Sequence, residues 1–327
     1  MRFFSFRVAA AALLLGASKP VPAAPTAEAE AYLDQAITLL ETRHINSAEA
    51  DWERLRAEAE TAIEEARTPA DTYPAIHRLL AELGERHSFL IEPQPTPAQP
   101  NGSTSRPTAT SPLPMWRLID GRFALVSLPA LNTLGANGDV TGRAYTQALK
   151  AALQEMDKED LCGWIIDLRD NSGGNMWAML QGLDPLLGAA PFGYFVGAAN
   201  GTTPWLRTPG GIAPFRGILP EGEPSFRLTH EAAPVAVLLG SLTGSSGEMT
   251  ALALIGRSDV RTFGMPTAGF TTANSPHRLS DGAFLVITEA TVRDRRGRDY
   301  SGAIVPDEQV PLEEAEAAAM RWLADRC

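Results

Sequence analysis

The chain has 327 residues, 44% of them apolar and 20% charged, which excludes disorder, coiled coil and collagen as overall descriptions and leaves room for about two domains. Lys and Arg number 28 against 39 Asp and Glu, and the resulting formal charge of −11 repels phosphate backbones and anionic lipid, so nucleic acid is not an expected partner. Two cysteines, Cys162 inside an apolar run and Cys327 at the last position, compose neither a disulfide framework nor a metal-ligand cluster, and no metal or cofactor is expected.

Arg2 and Arg7 precede an apolar stretch from Val8 to Gly16, followed by Ser18, Lys19, two prolines and Ala23-Ala24-Pro25. This three-part pattern predicts a secretory signal peptide over residues 1–24 and a periplasmic or secreted address. The run is too short for a membrane span, which needs about 20 apolar residues, and no cysteine for lipid attachment stands near the cut. Removal of the segment takes away Arg2, Arg7 and Lys19 and no acidic residue, so the net charge moves from −11 to −14.

Residues 25–92 are rich in Ala, Glu, Leu and Arg, with helical spacing at Tyr32, Ala36, Leu39 and Leu40 and again at Trp52, Leu55 and Ala59; they predict a helical N-terminal domain. Turns fall at Asn46-Ser47 and Thr68 to Asp71, and a third helix is expected over about 73–83. Residues 93–114 hold seven prolines among polar residues and read as a linker or loop. From 115 to 327 short apolar runs alternate with helical stretches, giving an α/β core. Phe123–Leu128, Cys162–Leu168, Val235–Leu239 and Phe284–Thr288 are the expected strands and Thr141–Met156 a crossover helix. Runs this apolar predict strands covered on both faces, hence a largely parallel sheet, with 187–224 as an irregular excursion.

Three segments carry chemistry. In PVAVLLGSLTGSSGE, from Pro234 to Glu248, a strand runs through a Gly, Ser and Thr cluster straight into a helix. A serine at that junction stands beside free helix N–H groups, where an attacking oxygen and a developing oxyanion are accommodated. The same residues also read as an ordinary capping box, Ser245 with Glu248 three positions on. In WIIDLRDNSGGN, from Trp164 to Asn175, Gly173 and Gly174 let the backbone turn and present N–H groups to a ligand, or simply form a loop; the lysine and spacing of a phosphate loop are missing. In LGERHSFL, from Leu83 to Leu90, His87 follows a helix-terminating glycine and is one of five histidines able to serve as a general base. His277 is the reserve base, whereas His44, His77 and His230 have no companion motif.

In this order the segments resemble the C-terminal processing, or tail-specific, serine peptidase family. The matching stretches are DLRDNSGG at 167–174, SSGE at 245–248, FGMPTAG at 263–269 and IVPD at 304–307, together with the Gly-x-x-His-Ser segment that ends the helical region. The resemblance implies a crotonase-like α/β core and cleavage of a peptide bond through an acyl-serine. It implies Ser245 as nucleophile and the backbone N–H groups of Ser246 and Gly174 as oxyanion hole, with Gly173 a candidate substrate-binding position. The branch of the family that uses a serine–lysine dyad has its lysine where this chain has Phe270, and no lysine follows Ser245 at all. The resemblance is therefore closer to the branch of the tricorn protease core, which implies His87 as base and an acid before the PD motif. Asp299 is the nearest match and Asp294 the fallback, although the spacing differs by about one residue and Asp replaces Glu.

No PDZ-like module is evident between helical region and core, so recognition of a C-terminal tail does not carry over. Asn274, in the TTAN stretch that replaces the lysine segment, either bonds substrate or holds a turn. The expected activity is that of an exported serine-type peptidase acting on a peptide or protein. The competing reading is a non-catalytic binding protein for a peptide or small ligand on the same scaffold.

Overall fold

The computed structural model describes residues 24–93, 112–134, 137–158, 160–197, 201–214 and 226–327. The expected signal segment and most of the Pro-rich stretch lie outside the described residues. Three helices open the chain, α1 (Ala27–Arg43), α2 (Trp52–Ala62) and α3 (Tyr73–Glu82). Thr26 caps α1 by accepting from Ala29 N at 3.2 Å, Asp51 caps α2 from Arg54 N at 3.2 Å, and Pro74 sits in the first turn of α3, where its missing N–H costs nothing. The buried stripe of α1, namely Ala29, Tyr32, Leu33, Ala36, Ile37 and Leu40, has the 3.6-residue period that brings one face inward. A short strand β1 (Phe89–Ile91) follows.

The remainder runs β2 (Met115–Ile119), β3 (Phe123–Ser127), α4 (Gly138–Met156), β4 (Gly163–Asp167) and α5 (Met176–Leu183). Then come β5 (Gly193–Gly197), β6 (Gly201–Thr208), β7 (Gly211–Pro214), β8 (Val235–Leu239), α6 (Ser246–Leu254) and β9 (Val260–Gly264). The chain ends with β10 (Thr272–Arg278), β11 (Phe284–Asp294), β12 (Asp299–Tyr300), β13 (Glu308–Gln309) and α7 (Leu312–Ala324). One sheet has the order β13-β9-β8-β4-β3-β2 and is parallel except for the β2–β3 hairpin. Its strands alternate between two cores. Val235, Val237 and Leu239 face the cluster with α4, α5 and α6, while Ala236 and Leu238 face α7 through Ala315, Ala319 and Leu323. Burial on both faces explains the unbroken apolar run of β8.

A second sheet, order β1-β11-β5-β6-β7 with β10 and β12 also on β11, is antiparallel at every pairing. The sequence did not announce it. The stretch expected to be irregular, 187–224, contains β5, β6 and β7, whose glycines and Pro204 and Pro214 mask the strand pattern. The N-terminal helices share one core with this sheet, through Leu279, Ala283, Leu285 and Ile287, and the Tyr32 hydroxyl donates to Asp281 at 2.9 Å. Cys162 and Cys327, in which the sequence shows no disulfide framework, form a disulfide with Cα atoms 5.1 Å apart. The residues between them bring α7 back beside the start of β4, a closure that spacing alone does not disclose. Among the described residues no helix is long and apolar enough to cross a membrane.

Candidate active site

β4 and β8 are parallel neighbours, so the loops after them emerge together at the carboxyl edge of the first sheet. The two loops are tied by Gly244 N donating to Asn171 O at 2.9 Å and by the Thr243 hydroxyl donating to Leu168 O at 2.7 Å. Ser245 ends the second loop with φ +50° and ψ −119°, a backbone region that a side chain seldom occupies and that must be held by its surroundings. The holder is Glu248. Its fully buried carboxylate accepts from Ser245 N at 2.8 Å and Phe270 N at 2.8 Å on one oxygen, and from the Thr267 hydroxyl at 2.5 Å and Gly269 N at 2.9 Å on the other. Burial pushes this carboxyl above the usual range, opposed by the same four donors, which match the lone pairs of the ionised form.

Across from Ser245, Asn171 accepts from Gly173 N at 3.0 Å, which removes that N–H from use. Gly174 N and Ser246 N are engaged by no other group among the described residues, and the Ser246 hydroxyl donates to Gly174 O at 2.6 Å, bracing one segment against the other. Gly174 is required by geometry: at φ +116°, a Cβ would lie 1.8 Å from Leu131 O. The two free donors beside a serine make the pattern of an oxyanion site.

The base side comes from elsewhere in the chain. His87, 8% exposed, places Nε2 3.0 Å from Ser245 Oγ and Nδ1 2.7 Å from Thr272 Oγ1. The Asn274 amide donates to His87 O at 3.2 Å, and the Phe270 ring lies 5.1 Å from the imidazole. Glu85 accepts from the backbone N–H groups of His87 at 2.6 Å and Ser88 at 2.7 Å and bonds His44 Nε2 at 3.3 Å. Because His44 Nδ1 accepts from Asn46 N at 3.1 Å, its proton sits on Nε2 and points at Glu85. Burial favours the neutral form of Glu85, but the hydrogen bonds from His44, Ser88 and His87 outweigh it and hold the carboxyl at about 2. Burial also lowers the His87 pKa, against a smaller opposing pull from Glu85, and so favours the neutral imidazole.

These groups open onto a cavity of about 1060 Å³ whose walls include Trp177, Phe195, Met249 and Phe270. Residues 122–310, more than half of the chain, match the family model described as Peptidase family S41. The chain belongs to peptidase family S41. A nisin-resistance protein of Lactococcus lactis subsp. lactis is 27% identical over 308 residues, spanning 93% of this chain and 88% of that one. Among solved structures, a lipoprotein from Streptococcus agalactiae superposes with a TM-score of 0.74 at 24% identity, over 92% of this chain and 98% of that one. The photosystem II D1 C-terminal processing protease does so with 0.58 at 18% identity, over 88% and 94%. These likenesses establish a mixed α/β S41 fold with N-terminal helices.

Within this S41 chain the expected acid is not at the histidine. Asp299 is exposed on β12 and pairs with Arg293 at 2.6 Å, since the β11–β12 hairpin turns its side chain outward. Asp294 is buried but is occupied by Arg296 N, Arg298 N and the Tyr300 hydroxyl of its own turn. The group on His87 Nδ1 is instead the hydroxyl of Thr272, two positions beyond the vacant lysine site, and no sequence signal singles it out. His277 bonds Glu289 at 2.8 Å, and His230 bonds Asp157 at 2.7 Å, so neither is the partner of Ser245 Oγ, which His87 meets. Asn274 lines the cavity and also holds the His87 carbonyl. Among the described residues no group of three His, Cys, Asp or Glu is placed to hold a metal.

Proposed function

We propose that this S41 chain is an exported serine-type peptidase that cuts peptide bonds through an acyl-serine on Ser245. The 3.0 Å approach of His87 Nε2 to Ser245 Oγ, with Gly174 N and Ser246 N free beside it, carries the reading. Ser245 Oγ attacks the scissile carbonyl as Nε2 takes its proton; the oxyanion is met by the two N–H groups; the imidazolium then returns the proton to the leaving amine. Water, deprotonated by the same nitrogen, hydrolyses the acyl-serine. For Nε2 to be free, the imidazole proton resides on Nδ1 and is donated to Thr272 Oγ1, so a hydroxyl does the orienting work of the usual carboxylate. The Cys162–Cys327 disulfide and the N-terminal signal pattern support an oxidising destination, periplasmic or secreted.

Intact-mass labelling with a fluorophosphonate tests this without knowledge of the substrate. One adduct is expected on the wild type and none on Ser245→Ala, and His87→Ala is expected to lower turnover by about three orders of magnitude or more. An adduct that survives Ser245→Ala overturns the reading by placing the reactive nucleophile elsewhere, and no adduct on folded wild type overturns it in favour of a binding protein.

A further inference from the structure

The cavity beside Ser245 is neutral along most of its wall. Its only Asp, Glu, Lys or Arg lining residues among those described are Arg86, which is exposed, and Glu289, whose side chain is 18% exposed. Glu289 owes its position to a defect in the β10–β11 ladder. Ala273 pairs with Ala290 and Asn274 with Thr288, so Glu289 is the extra, unpaired residue of a β-bulge. Bulges re-aim side chains and recur beside active sites. Here the bulged carboxylate is held from two sides, by the Ser275 hydroxyl at 3.1 Å and His277 Nε2 at 2.8 Å, one donor on each oxygen.

Among the described residues the one ion-pair partner of Glu289 is His277, which carries charge only when protonated, and the remaining lone pairs have none. No Lys or Arg among the described residues reaches Glu289, and a carboxylate half-withdrawn from water is most stable against a positive charge. A metal ion is a poor occupant, because no third ligand stands by among the described residues. A basic side chain fits better: its aliphatic stem can lie along the apolar wall of Trp177 and Phe195 while its charge meets Glu289. The net charge of −11 favours the approach of such peptides. We propose that Glu289 is a specificity residue of the cleft, taking a Lys or Arg side chain of the peptide at a fixed distance from the cut bond. This rests on the peptidase reading of the same site.

The test uses the protein with its N-terminal 24 residues removed and a synthetic library of N-acetylated, C-amidated peptides, so that terminal charges play no part, with products sequenced by mass spectrometry. Lys and Arg are expected to be enriched at one position relative to the cut. A matched pair with Lys or norleucine there should differ by about tenfold in kcat/KM, falling toward unity in Glu289→Gln and recovering in part in Glu289→Asp. The ratio within each variant is the readout, so any loss common to both peptides, as a purely structural role for Glu289 would give, cancels. Cleavage without a basic preference, or a preference that Glu289→Gln retains, overturns the proposal and leaves the peptidase reading standing. Absence of both cleavage and fluorophosphonate labelling in the wild type overturns the peptidase reading and this proposal together.

Discussion

The two halves of the proposed catalytic site are built by different means. The nucleophile half, Gly173 to Asn175 and Thr243 to Glu248, is knit by backbone hydrogen bonds and one buried carboxylate at the edge of the parallel sheet. In the base half His87 and Thr272 meet through side-chain bonds, between an N-terminal segment whose β1 ladders onto β11 and the antiparallel sheet itself. A strained serine and an oxyanion pocket need a frame that cannot relax, and backbone bonding to a buried charge supplies it. A base needs only an orientation and a tautomer, which a few side-chain contacts can supply.

Breaking the nucleophile half has the larger effect. Glu248→Ala leaves the N–H groups of Ser245, Gly269 and Phe270 and the Thr267 hydroxyl without their acceptor in a site closed to water. Leaving several buried donors unpaired costs about 3 kcal/mol or more. The expected outcome is a lower denaturation midpoint together with loss of fluorophosphonate labelling, because the Ser245 backbone is released. Labelling at the wild-type rate would show that the strained conformation is held without Glu248.

The same contrast decides what the sequence could disclose. The nucleophile half lies in two contiguous stretches, each a strand followed by its loop, so Ser245, Ser246 and Gly174 were reachable from the local pattern and its resemblance. Asn171 and Glu248 hold that half together; both lie in stretches that carry the resemblance, and Glu248 also shows its capping-box spacing. In the base half His87 had a local motif, but Thr272 meets it across 185 residues and through a sheet whose strands lack clean alternation. The acid sought near the PD motif illustrates the limit. Asp299 has nearly the expected sequence position, and the hairpin register still carries it to the surface.

Breaking the base half sharpens the comparison at smaller amplitude. Thr272→Val removes the acceptor of the His87 Nδ1 proton while keeping the shape of the side chain. Turnover is expected to fall by about 10- to 100-fold, the cost of one buried hydrogen bond in the transition state, with the fold intact and Thr272→Ser recovering most of it. Equal losses in Thr272→Val and His87→Ala would mean that the hydroxyl does more than orient.

The pH profile separates orientation from charge. In the proposed mechanism His87 acts as a base only when neutral, and burial lowers its pKa, so turnover should rise with pH through an inflection below the ordinary histidine range and stay level above it. Thr272→Asp puts a carboxylate where the hydroxyl stood. An adjacent negative charge favours the imidazolium, so the same inflection must move to higher pH, with less activity on its acid side. Asp299→Asn, altered at the residue first expected to play that part, leaves the inflection where it was, because its carboxylate answers to Arg293 at the surface. A shift of the profile in Asp299→Asn, with none in Thr272→Asp, would return the acid to the hairpin and put the Thr272 hydroxyl out of the base half.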